Sequence, residues 1–164
     1  MPRLALDAVQ TLRLTRHSRI LAAVLLVAML PIEYGGDYLT DVVTGQDQAT
    51  DFQLAFARAG HAHAGVLVLL GLVGLVLADA TGLRGVLGYL ARHGVPVGAL
   101  LISAGFFLSA TGEGATEPNG MIVLVWIGAV SLAVGVLTLA YGLLAAQRVR
   151  PAAAVPAGTS TDAS

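Results

Sequence analysis

Four apolar blocks separated by polar connections organise this chain. They run from Arg19 to about Leu39, His61 to Ala78, Gly94 to Thr111 and Met121 to Ala146. Each is close to the ~20 residues a helix needs to cross a hydrocarbon layer of about 30 Å. Between them lie an acidic, polar connection from Thr40 to Gly60, a short one from Asp79 to His93, and the tight turn GEGATEPN from Gly112 to Asn119. The pattern predicts an all-α protein, a four-helix transmembrane bundle over residues 19–146.

The arginines orient this bundle. Arg3, Arg13, Arg16 and Arg19 precede the first block, Arg84 and Arg92 lie between the second and third, and Arg148 and Arg150 follow the fourth. Asp41, Asp47, Asp51, Glu113 and Glu117 fall in the other connections, with Arg58 as the one basic exception. The positive-inside rule then predicts cytoplasmic N and C termini and a multi-pass protein of the cell inner (plasma) membrane. The basic start and the apolar run Ile20 to Ile32 also suit a signal peptide, but PIEYGGDY offers no A-x-A-like cleavage site. Residues 1–18 are expected to lie along the inner interface, since Leu4, Ala8, Val9 and Leu12 share one helical face. Residues 147–164 are expected to form a disordered cytoplasmic tail, for the Pro, Ala, Ser and Thr from Pro151 onwards have no periodicity.

Composition narrows the chemistry. Hydrophobic residues make up 56% of the 164 and charged ones 12%, too apolar for one water-soluble core of this size. The lipid bilayer is therefore the first partner. The net charge of −1 and the short, scattered arginine groups give no basic surface for nucleic acid. With no cysteine, thiolate metal sites, iron–sulfur clusters and cysteine nucleophiles are excluded, so any metal must be held by His, carboxylate or carbonyl groups. No spacing supports a hydrolase triad, a P-loop or a dinucleotide fold, and the sequence makes no strong case for an enzyme.

Small residues mark packing faces. Gly128, Ser131, Gly135, Thr138, Gly142 and Ala145 recur at spacings of three and four, a seam that lets helix backbones approach in lipid. Gly71, Gly74 and Ala78, with Gly94, Gly98 and Gly105, offer matching surfaces. A seam turned to lipid would instead support a homo-oligomer or a larger membrane complex.

Polar groups from three blocks converge in depth. With 1.5 Å of rise per residue counted from the arginine-bearing ends, Glu33 lies about 21 Å up, Asp37, His61 and Thr111 about 27 Å, and His63 and Ser109 about 24 Å. Glu33, Asp37 and Asp41 would form a carboxylate stripe beside Tyr34 and Tyr38, provided that Gly35-Gly36 does not break the helix. Intramembrane carboxylates are costly and mark function. His61 and His63 point about 200° apart on a regular helix. If the chain before Ala64 is extended, both imidazoles face one side and chelate; if the helix already starts at Gly60, only one faces the bundle. The candidate metal ligands are Glu33, Asp37, His61 and His63, suited to Zn, Mn, Fe or Cu or to proton exchange. His17 and His93 have no evident partner, and Trp126 reads as an interfacial anchor or packing residue.

The run GHAHAGVLVLLGLVGL resembles the His-x-His, glycine- and leucine-rich segment of a haem-bearing helix in some haem–copper oxidases and nitric oxide reductases. The resemblance covers one helix of four, and with four histidines in all a full oxygen- or nitric-oxide-reducing centre is implausible. It implies that His61 or His63 could ligate a haem or metal near the outer face. The Arg-only, Ala/Gly/Val-rich composition also resembles that of small integral membrane proteins of high-GC bacteria. The leading expectation is a binding module for a divalent metal or haem, accessory to electron transfer or metal handling. A proton-coupled or small-solute transport protein and a structural or assembly partner of a larger membrane complex are the alternatives.

Overall fold

The computed structural model describes residues 14–148 and contains no strand among them. Four helices are long and apolar enough to cross a membrane. The first span is built of α1 (Arg16–Val27) and α2 (Met29–Thr44), the second is α3 (Asp51–Thr81), the third α4 (Gly85–Ser109) and the fourth α5 (Val123–Arg148), entered through a 3₁₀ turn over Gly120–Ile122. Of the interfacial segment expected over 1–18 and the tail expected over 147–164, residues 1–13 and 149–164 lie outside the described residues, while 16–18 and 147–148 belong to helices.

The first span runs unbroken through Gly35-Gly36, so those glycines are not the interruption that the sequence suggested. The break falls earlier, at Ala28. Three residues on, Pro31 has no N–H to give the Val27 carbonyl, and its ring crowds that turn; proline is tolerated there because it occupies the first turn of the resumed helix.

The second span starts ten residues before His61, at Asp51. Thr50-Asp51-Phe52-Gln53 is a reciprocal cap: the Thr50 hydroxyl accepts from Gln53 N, while Gln53 Oε1 accepts from Thr50 N at 3.1 Å. At the other end Gly82, at φ +67°, closes the helix, leaving only Gly82, Leu83 and Arg84 as the connection. Arg92 and His93, expected in that connection, are therefore helical.

The third span lies between the second and the fourth, and glycine decides how closely. A Cβ added at Gly94 would lie 2.5 Å from Gly135 Cα, and one at Gly128 2.8 Å from Ile102 N. The seam expected on the fourth span thus faces the third, where Ser131 Oγ donates to Gly94 O at 3.0 Å. Gly142 faces Thr81 and Leu83. The seam is consumed within the chain, so it offers no free surface for a second copy.

The first span packs differently. Leu25, fully buried, drops into the notch left by Gly71, where a Cβ would meet its Cδ1 at 2.8 Å. This contact anchors the arginine-rich half of the span. Its other half, α2, packs on the second span and makes no backbone approach to the third.

Candidate functional site

The early start of the second span settles the histidine geometry. His61 and His63 sit on a regular helix and diverge. His63 is exposed; its Nδ1–H donates to Ala59 O at 2.7 Å and its ring lies against Phe106, with centroids 5.1 Å apart. His61 turns inward, onto the first span. A Cβ at Gly36 would come within 3.0 Å of His61 Cε1, and one at Gly35 within 3.2 Å of Phe107 Cζ. Gly35-Gly36 therefore serves as a flat seat for an imidazole and a phenyl ring, and gives up side chains rather than helicity.

His61 Nδ1 is the one buried side-chain nitrogen or oxygen without a hydrogen-bond partner among the described residues. His63 and His93 both close Nδ1–H onto the carbonyl four residues back. His61 does not, because its ring has swung out toward Gly36. Leaving a buried polar atom unpaired costs about 1–3 kcal/mol, so the position calls for an explanation.

Two cavities flank Phe107, which shares the Gly35 seat with His61; the imidazole itself lines neither. Toward the bilayer centre, a void of about 200 Å³ lies between the first three spans, lined by Pro31, Ile32, Ala64, Val68, Ala99 and Ser103 among others. Its one hydroxyl, Ser103 Oγ, already donates to Ala99 O at 2.8 Å, which leaves an apolar chamber. Toward the end away from the arginines, a second void of about 230 Å³ is lined by Tyr38, Gln53, Ala57, Ala110 and Thr111. Phe107 lines both and divides them.

The carboxylates do not join this arrangement. Glu33 and Asp37 are exposed on the side of the first span away from the bundle, and Tyr34 beside them is 76% exposed. Ser109 and Thr111 hydroxyls turn back onto the carbonyls of Phe106 and Leu108. Among the described residues no three His, Asp or Glu side chains come together as metal ligands. Of the four residues expected to share an ion, the structure places only His61 in the interior.

Sequence reasoning missed two polar assemblies at the bundle ends. At the end away from the arginines Gln53 Nε2 donates to Ala110 O and Gly112 O, and the Thr50 hydroxyl to Ala115 O, so the cap of the second span also holds the turn between the third and fourth. The T-x-x-Q spacing was the available signal. At the arginine-rich end Asp79 accepts from Thr15 N at 2.8 Å and from Arg92 Nε at 3.0 Å, joining three spans. Only the placement of Arg92 on a helix reveals that pair. No family model, curated protein or solved structure matches the chain.

Proposed function

We propose that this chain is a small-solute-handling membrane protein, which takes a small, mostly apolar molecule with one hydrogen-bonding group between its first three spans. The observation that carries this reading is the unpartnered His61 Nδ1 on the seat it shares with Phe107, the ring that lines both cavities. An imidazole nitrogen so placed can give a proton to, or take one from, a guest's polar group while the chamber holds its apolar part. The missing hydrogen bond at Pro31 and the gap between α2 and the third span favour movement of that half of the first span. Native mass spectrometry of the detergent-purified chain tests the reading: wild type should carry a bound adduct, and Ala99→Phe, which fills the chamber, should lose it. An adduct-free wild type that also takes up no more solute into vesicles than Ala99→Phe would reject it.

A metal or haem reading now rests on His61 alone, with the remaining ligands supplied from outside this chain. Elemental analysis and a visible spectrum of the wild type and His61→Ala test it. A second reading, partner assembly, is favoured by Glu33 and Asp37, which face away from the bundle at a depth where carboxylates are costly. Its signature is a larger complex in mild detergent that Glu33→Gln dissociates.

A further inference from the structure

His17 and His93, without partners in the sequence, line one pocket at the arginine-rich end. The pocket has a volume of about 170 Å³ and is walled by His17 from the first span and by Gly85, Tyr89, Arg92 and His93 from the third. It lies at the opposite end of the bundle from His61 and is independent of the function proposed above.

The hydrogen bonds around it fix what the walls can offer. His93 Nδ1 lies 3.0 Å from Tyr89 O. A carbonyl only accepts, so Nδ1 carries the proton and Nε2 of the neutral ring is a bare acceptor. Nε2 becomes a donor only when the ring takes up a second proton. Arg92 spends Nε on Asp79 and Nη1 on Gly88 O, and its Nη2 meets no acceptor among the described residues. Tyr89 stacks on His93 with centroids 4.0 Å apart and planes 17° from parallel, which fixes the plane of the imidazole. His17 is exposed on the first turn of its helix. The charged and titratable groups facing the pocket are thus His17 from the first span, Asp79 from the second, and Tyr89, Arg92 and His93 from the third. Asp79 is already matched by Arg92.

We infer that this pocket binds a phosphate group, held by His17, Arg92 Nη2 and the protonated Nε2 of His93. Tyr89, 60% exposed, with Val86 and Leu87 exposed beside it, presents the aromatic and aliphatic surface expected at a headgroup boundary. A phosphodiester there is either the headgroup of an anionic lipid or a soluble ester of the same chemistry. Because Nε2 of His93 donates only in the doubly protonated ring, binding is expected to be tighter at pH 5.5 than at pH 8.

The full chain should be placed in nanodiscs of phosphatidylcholine alone and with phosphatidylglycerol, whose diester keeps one charge throughout. Bound lipid is counted by native mass spectrometry, and imidazole signals are followed by NMR at pH 5.5 and 8. Wild type should prefer phosphatidylglycerol over phosphatidylcholine at the lower pH, and His17→Gln with His93→Gln should reduce that preference about tenfold, as for loss of a charge-assisted contact. His93→Lys should restore binding and remove its pH dependence, a rescue that separates binding from a fold defect. Glycerophosphoglycerol added to phosphatidylcholine nanodiscs shows the source: if it shifts the His93 signal as the lipid does, the site reads soluble phosphodiesters, and if only the lipid does, it reads headgroups. Equal lipid counts in wild type and the double glutamine variant at both pH values, with no response to the soluble ester, would overturn the assignment.

Discussion

The imidazole of His61 rests on Gly36, across the boundary between the first and second spans, so closely that a Cβ built there would lie 3.0 Å from Cε1 and the ring would have to give way. Gly36→Val should therefore push the ring off its seat and lower the thermal midpoint in detergent, through a loss of about 1–3 kcal/mol from overpacking. The imidazole NMR signals should shift at His61 and stay in place at His63, which faces elsewhere. Unchanged His61 signals would contradict the seat.

Glycines in the spans divide sharply by what surrounds them. Gly135→Val places a Cβ 2.6 Å from Val95 N, where backbone must yield, so the third and fourth spans should separate and the fold should be lost or reduced to a loosely packed state. Gly65→Ala meets nothing within 4 Å and should be neutral or stabilising by up to about 1 kcal/mol, the helix preference of alanine over glycine. Thermal unfolding of the pair in one detergent checks both.

Asp79→Ala removes the acceptor shared by Thr15 and Arg92. Arg92 is then left half-buried without its carboxylate, and the start of the first span loses its tie to the second. Hydrogen exchange should quicken at residues 15–19 while the amides of the third span around Gly98 stay protected. The expected loss of stability is about 1–3 kcal/mol, above that of an exposed ion pair because the pair is partly shielded and also bonds the backbone.

Gln53→Ala breaks the reciprocal cap and frees Ala110 O and Gly112 O together. Capping alone contributes about 1 kcal/mol, and the two released carbonyls add to it. Protease cleavage in the turn from Gly112 to Asn119 should become faster. A cleavage rate equal to wild type would show that the turn holds itself.

Most of the architecture was legible because lipid imposes a simple requirement, namely long apolar helices with their polar groups satisfied within the chain. The number of spans and the packing role of the seam around Gly128 and Gly135 followed directly. The helix starts were less visible, since Phe52, Gln53 and Phe56 look like part of a polar connection until the cap at Thr50 is recognised. That boundary governed the site: a helix beginning at Asp51 turns His61 and His63 apart, which no count of depth reveals. Depth also misled about Glu33 and Asp37, which reach the right level on the wrong side of their helix. His17, Arg92 and His93 meet only because the short turn at Gly82 brings the third span back beside the first.

The cap at Thr50 also sets an order in which this end of the bundle can close during synthesis. Thr50 and Gln53 find their acceptors at Ala110, Gly112 and Ala115, 57 to 65 positions later in the chain. While the first two spans emerge those acceptors do not yet exist, and the two side chains can bond only within their own cap. The tie between the second span and the turn beyond the third is therefore among the last contacts the growing chain can make.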